Sequence, residues 1–449
     1  MFPKLDWNLV NDLRGTNCRE EKSLQTLIRF KDKFKQQVKV LEGQLKTLEK
    51  VKIFNELDVS ISQEEISKAI SKLKNNKSPG LDNITNNMLK RGQQRLLPCL
   101  QKLFNSCLTS GNYPTIWAEG YVVPIYKGND TADPNNYRGI TVTAAIGKLF
   151  NSVLNYRLDA FLRNNELIHE SQIGFTKKAR ITEHLFVLKY ILDEYCSERN
   201  GRVYACFVDF QKAFDTVIHT GLKIKLLKLG VGSLFYQVIN NMYKTSRSCV
   251  CLQIQSGITD FFSVHLGVKQ GDNLSPNLFK IFINDLPSYL DKSLDPVYLD
   301  EKPIHCLMYA DDIVLLSSTP QVLQTKLNSL AKYCDEWCLQ LNPSKTKVLV
   351  FSKAGRLIKN QKFTFSEHDI ECVQHCKYLG IYVSASGNFS FAQSELYKKS
   401  LKAYFKLQKD FLLHNPNIGT SIHVFDHTIR PILLYGSEIW GSFNTDSQI

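Results

Sequence analysis

The chain has 449 residues, 43% apolar and 22% charged, which fits about two to four packed globular units and argues against wholesale disorder. No run of ~18 apolar residues occurs, and the start MFPKLDWNLVNDLRG lacks the charged head and apolar stretch of a secretory signal. No membrane partner is expected, and the cytosol or nucleus is the expected compartment. The 56 Lys+Arg against 43 Asp+Glu leave a net charge of +13, which favours polyanionic partners through counterion release but carries no sequence preference.

Residues 1–55 read as a helical, Lys-rich lead with a solvated surface. Ser62, with Glu65 three residues on, forms a capping box, and Ile61 with Ile66 can staple the entry to a helix whose apolar face is Ile66, Ala69, Ile70 and Leu73. That helix runs out in LKNNKSPGLDNI. A second helical stretch spans about Leu96 to Leu108. YVVPIYKGND then reads as a short strand held to a sheet edge by Pro124. After NNYRGITVT, a long amphipathic helix covers about Ala144 to Arg163. Short strands and helices alternate in mixed order through Asn342, predicting an α+β architecture. From Phe389 the spacing turns helical again. Cys334/Cys338 and Cys372/Cys376 each enclose three residues, a spacing that suits one helical face better than a zinc knuckle.

Three carboxylates stand out. Asp209, in YACFVDFQKAFDTV, falls near the end of a buried strand, where a charge is costly unless a metal compensates it or it caps a following helix. Asp311 and Asp312, in CLMYADDIVLLSS, form a doubled charge on a tight turn between apolar strands, and such a pair repels itself unless a cation is present. Two such sites could converge on a pair of Mg²⁺ ions, which use few protein carboxylates together with substrate phosphates. Between them lies HLGVKQGDNLSPNLF. Gly267 and Gly271 bracket a loop that a ligand could approach closely, Gln270 projects from it, and Ser275 is placed to cap a helix with Pro276 at its first position.

The sequence resembles the reverse transcriptases of non-LTR (LINE-type) retrotransposons over roughly residues 60 to 440. The matching boxes occur in order: KNNKSPGLDNI, VPIYKGND with NNYRGITVT, ESQIGF, FVDFQKAFDTV, GVKQGDNLSP, YADDIVLLS, LNPSKTKVLVF and CKYLGIYVS.

The resemblance implies a right-hand polymerase with an antiparallel palm sheet flanked by helices. Fingers are expected over 56–200, palm over 201–385 and a partial helical thumb over 386–449. It also implies an RNA template, a DNA primer or RNA–DNA duplex, dNTPs, and two Mg²⁺ ions for which Mn²⁺ could substitute. Metal falls on Asp209, Asp311 and Asp312. Lys127 and Arg138 would hold the triphosphate, suited by an ammonium and a bidentate guanidinium. Phe210 would line the nucleotide site through its backbone, and Phe214 would gate the sugar against a 2′-hydroxyl. Gln270 and Gly271 would pack on nucleotide and template. Lys345 is the expected general acid, with Lys347 as competitor. Tyr378, Leu379 and Gly380 would grip the primer, and Lys398, Lys399 and Lys402 would face the duplex.

Asn273 departs from the proline usual in the family. A nicking endonuclease and a Cys/His knuckle, common in such proteins, have no room here, so the chain reads as part of a longer reading frame. Two other readings are a nucleic-acid-binding relic without polymerase activity and a maturase of the group II intron type.

Overall fold

A computed structural model describes residues 18–48, 54–128, 130–133, 136–177, 179–198, 200–251, 257–290, 296–356, 361–414 and 416–441. Parts of the expected lead (1–17, 49–53) and the last residues of the expected thumb (442–449) lie outside the described residues. The architecture is α+β, in two compact units that interleave along the chain. The first takes the residues up to His169, with Lys212–Asn284 and Asp335–Gln340. The second takes Glu170–Gln211, Asp285–Cys334 and the residues from Leu341 onward. No described helix is long and apolar enough to cross a membrane.

In the first unit the entry signal at Ser62 is realised. Ser62 Oγ accepts from the Glu65 N–H at 3.3 Å, and Glu65 Oε2 accepts from the Ser62 N–H at 2.9 Å. The helix Gln63–Ser71 buries Ile66, Ala69 and Ile70, with Ile61 buried at its foot. Arg157, on the helix Ala145–Asn164, closes this corner. Its Nε and Nη2 each donate to a Glu65 carboxylate oxygen at 2.7 Å, and the guanidinium also donates to the carbonyls of Leu57, Val59 and Ser60. The stretch expected near 96–108 belongs to the helix Gln93–Ser110, which ends on left-handed Gly111.

Two expectations for this unit need correction. The lead is a helix, Cys18–Leu48, but it is not merely solvated: Leu41 is wholly buried, and the helix packs on His219–Lys228. The strand Glu119–Tyr126 is not at an edge either. It lies between Tyr137–Thr143, paired antiparallel, and Arg247–Val250, paired parallel. The parallel ladder ends at Val122, so among the described residues Pro124 pairs with no strand on that side, where its missing N–H would point.

The second unit is built on a sheet of six strands, in the order Phe363–Phe365, His368–Cys372, Lys347–Ser352, Arg202–Val208, Asp312–Ser317, Cys306–Tyr309. After exposed Arg202, VYACFV is an unbroken apolar run because its strand is central, with both faces covered. Val203, Ala205 and Phe207 share a core with Leu185, Leu188 and Ile191 of the helix Ile181–Ser197. The cysteine pairs do not share helical faces. Cys338 lies just past the end of the helix Pro320–Trp337, in a left-handed conformation, and Cys372 and Cys376 sit on different strands. Beyond Phe389 the expected helices appear as Ser390–His414, Ile418–Thr428, Arg430–Leu433 and Ser437–Trp440.

Arg157→Ala would strand the half-buried Glu65 carboxylate and free three carbonyls. We expect a loss of about 2 kcal/mol in the first unit, read as a lower urea midpoint; an unchanged midpoint would show that the corner holds without Arg157.

Candidate active site

The strand register brings the acids of the second unit together. Val208 is paired with Ile313, so the next pair in the same antiparallel register sets Asp209 opposite Asp312 on one face of the sheet. Asp312 opens its strand, and Tyr309 pairs with it across a turn made by Ala310 and Asp311. Burial, then the like charges of Asp311 and Asp209, push the Asp312 carboxyl up to about 6. Its side chain keeps an exposed face from which a cation can approach. Burial also raises Asp209, opposed by the Lys345 ammonium and a hydrogen bond from Asn342. No helix follows Asp209 directly. Residues 211–215 form a turn and the next helix starts at His219, so the reading of Asp209 as a helix cap falls away.

The LNPSKTK box clasps Asp209 from the other side. Thr346 Oγ1 accepts from the Asp209 N–H at 3.1 Å, and the Asp209 carbonyl accepts from the Asn342 N–H at 2.7 Å. The two lysines of this box meet different groups. Lys347 Nζ is 2.6 Å from Glu371, whereas exposed Lys345 acts on Asp209. Phe210 is buried, bridged through its backbone to Leu341.

A residue that sequence reasoning passed over pins the acidic turn. Gln172, from ESQIGF, is 2% exposed. Its Oε1 accepts from the N–H groups of Ala310 and Gly174, both at 2.9 Å, and its Nε2 donates to the Ala310 carbonyl at 3.2 Å. Ala310 has φ +57, a strained value for a residue with a Cβ, and the glutamine holds it by mimicking a neighbouring strand. Gly174 comes so close that a Cβ there would lie 2.2 Å from the Ala310 nitrogen. A buried amide in a quoted box was the available signal.

Of the expected primer grip, Tyr378 and Leu379 are buried, and Gly380 is exposed. They form the tip of the hairpin His375–Tyr378/Ile381–Ser384, with Leu379 at φ +47 and Gly380 at φ +87. Tyr435 donates its hydroxyl to the Leu379 carbonyl at 2.9 Å, and its ring would meet a Cβ at position 380 at 2.9 Å. Among the described residues the Tyr378 hydroxyl has no hydrogen-bond partner. Lys398, Lys399 and Lys402 are exposed, and Lys398 pairs with Glu395 at 2.8 Å.

The other expected residues belong to the first unit, where three distant segments meet. Lys127 and Arg138 are exposed on one face at the tip of the Glu119–Tyr126/Tyr137–Thr143 pair, since Arg138 opposes Ile125 and the Lys127 N–H donates to Asn136 at 2.8 Å. Further along that second strand, the Thr141 N–H donates to the Gln270 carbonyl at 2.8 Å. Gly271, at φ +108, lets Thr141 approach: a Cβ would lie 2.9 Å from its oxygen. Phe214 is half-buried in the 211–215 turn and stacks on Phe279 at 4.5 Å, 15° from parallel. Its carbonyl accepts from the Val268 N–H at 2.8 Å.

Beneath this loop, His219 Nε2 meets the Gly267 carbonyl at 2.9 Å and so carries the ring proton; burial holds its pKa down to about 4. Asp272 accepts from Asn151 Nδ2 at 2.6 Å and from the Leu274 N–H at 2.9 Å. Ser275 does not cap the helix Ser275–Ile283, because it is already the first helical residue and Leu274 is the cap. Asn273 donates to Ser152 Oγ at 2.6 Å, a bond that proline could not make.

Among the described residues, no group of three or more His, Cys, Asp or Glu side chains is closed enough to hold a metal by itself. The donor set still suits Mg²⁺, which takes one or two carboxylates and completes its shell with phosphate and water.

A family model for reverse transcriptase (RNA-dependent DNA polymerase) matches residues 125–383. The chain is 30% identical over 400 residues to a Drosophila melanogaster protein named "Probable RNA-directed DNA polymerase from transposon BS", covering 85% of this chain and 42% of the relative. It is 25% identical over 402 residues to the RNA-directed DNA polymerase from mobile element jockey of the same species, covering 85% and 42%. It is 30% identical over 338 residues to the retrovirus-related Pol polyprotein from type-1 retrotransposable element R2 of Popillia japonica, covering 73% and 45%. The chain thus spans less than half the length of these curated relatives.

Because its folded pKa is raised, Asp312 contributes stability that is fully present below its unfolded pKa and lost as pH rises through about 6. In metal-free buffer Asp312→Asn should therefore raise the thermal midpoint at pH 8 by about 2 °C, discounted for the exposed face, and leave it unchanged at pH 4. An equal effect at both pH values would count against charge repulsion as the cause.

Proposed function

Since the chain belongs to the reverse transcriptase (RNA-dependent DNA polymerase) family, we propose that it is the polymerase part of a non-LTR retrotransposon protein, copying an RNA template into DNA by adding dNTPs to a primer 3′-hydroxyl. The observation that carries this reading is the meeting of Asp209 with the Asp311–Asp312 turn across one strand register. In this reading 56–200 serve as fingers, 201–385 as palm and 386–449 as a partial thumb.

Asp209, Asp311 and Asp312 would hold two Mg²⁺ ions, for which Mn²⁺ could substitute. Bound there, the ions would supply charge stabilisation at the attacking hydroxyl and the leaving pyrophosphate. Lys345 lies where its ammonium already acts on Asp209, and it serves as the acid that protonates pyrophosphate. Lys127 and Arg138 take the triphosphate at the exposed tip of their strand pair. The Phe214 ring, fixed by stacking on Phe279, blocks a 2′-hydroxyl, while Phe210 contributes its backbone. Gln270 and Gly271 bear on the nucleotide and template. In the primer grip, burial of Tyr378 and Leu379 leaves Gly380 as the exposed contact. The exposed Lys398, Lys399 and Lys402 meet the phosphates of the primer–template duplex.

The first test is extension of a DNA primer on RNA with dNTPs and Mg²⁺, comparing the chain with an Asp311→Ala, Asp312→Ala double variant. Extension only by the unaltered chain is expected. Template binding without extension by either would point to a relic that binds nucleic acid.

Two further variants test the nucleotide residues. Phe214→Ala should lower the preference for dNTP over rNTP by at least about tenfold, an energy of ~1.4 kcal/mol. An active variant with unchanged preference would remove the gate assignment. Arg138→Ala should raise KM for dNTP by about tenfold, and an unchanged KM would take Arg138 out of the nucleotide site.

A further inference from the structure

We infer that Asp215 is a positioning residue that sets the amide of Gln270 for the incoming nucleotide, an inference that rests on the polymerase reading above. Gln270 Nε2 donates to Asp215 Oδ1 at 2.9 Å. An ionised carboxylate has only acceptors, so the orientation of the amide is settled by chemistry: its NH₂ faces Asp215 and its oxygen is turned the other way. Gln270 therefore offers its ligand an acceptor from Oε1, and the group it meets there must be a hydroxyl or an amino hydrogen.

The carboxylate can do this because the turn that bears it is tied to the loop it serves. The Asp215 N–H donates to the Lys212 carbonyl at 2.8 Å. On either side of it, the Phe214 and Val217 carbonyls accept from the N–H groups of Val268 and Gly267, each at 2.8 Å. Gly267, at φ +86, lies so near that a Cβ would come within 2.9 Å of the Asp215 oxygen. The turn bearing Phe214 and the loop bearing Gln270 are thus laced by backbone bonds, and Asp215 adds a side-chain bond that reaches the amide. A side chain with two further rotatable bonds beyond Cβ would otherwise sample several orientations, at a cost in entropy each time nucleotide bound.

The test is single-nucleotide incorporation by the chain as it stands, by Asp215→Ala, Asp215→Asn and Gln270→Ala, and by the Asp215→Ala, Gln270→Ala double variant, with thermal midpoints measured alongside. Asp215→Ala should raise KM for dNTP about tenfold while kcat stays nearly constant. Asp215→Asn, which keeps an acceptor oxygen, should recover most of that loss. With Gln270 already replaced, removing Asp215 should change KM no further. A KM rise of the same size in both backgrounds, or none in either, would overturn the inference while leaving the polymerase reading intact. Absence of incorporation by the unaltered chain would overturn both.

Discussion

The second unit depends on one register: the central strand Arg202–Val208 paired antiparallel with Asp312–Ser317. A slip of a single residue would replace Val203, Ala205 and Phe207, which fit against the helix Ile181–Ser197, with Tyr204, Cys206 and Val208 of the opposite buried face, side chains of different volume. Apolar packing therefore fixes the register firmly, and the register in turn sets Asp209 opposite Asp312. The acids repel, but separating them would require giving up the core. Hydrophobic burial distributed over a whole sheet here holds like charges together at one end of it.

Holding charges together is not enough; the backbone bearing them must also be stiff. Two of the three acids have a buried polar support, Gln172 beside Asp311 and Thr346 behind Asp209. Gln172 saturates both backbone groups of Ala310, next to Asp311, and Thr346 with Asn342 clasps the backbone of Asp209. The first unit repeats the device around the loop 267–274. There His219 and Asn151 bond the loop from beneath, Asp272 accepts within it from the Leu274 N–H, and Lys269, its pKa held down to about 8 by burial, donates to the Ala118 carbonyl. Loops that carry function are ordinarily the mobile parts of a protein. In this chain several of their backbone groups are hydrogen-bonded to neighbouring segments, so the side chains they carry start from defined positions.

Much of this was legible in the sequence wherever the governing interaction is local. The capping box at Ser62, the long helix near 144–163, the buried strand before Asp209 and the acidic hairpin all come from neighbours within a few residues, and they stand in the structure. The misreadings share the opposite origin. Pro124 suggested an edge because nothing nearby says that Arg247–Val250 pairs beside it only as far as Val122. The spacing of Cys372 and Cys376 fits a helix, but strand pairing claimed both segments. Leu41 looked solvated in a Lys-rich helix because the helix that covers it lies far along the chain.

The residues of the quoted boxes divide into two physical kinds, and the division follows burial rather than motif rank. Lys127, Arg138, Lys345 and Asp312 present charge at exposed positions, so they can meet a ligand directly. Gln172, Gly174, Thr346 and Gly271 shape backbone, either by filling a hydrogen-bonding need or by leaving out a Cβ where two chains touch. Gln270 and Asp215 stand between the kinds, half-buried and bonded to each other. A box in such a sequence is therefore a unit of geometry as much as of chemistry. The glutamine of ESQIGF does its part through bonds to backbone alone, and without it the YADD turn would lose the partner that holds its left-handed residue.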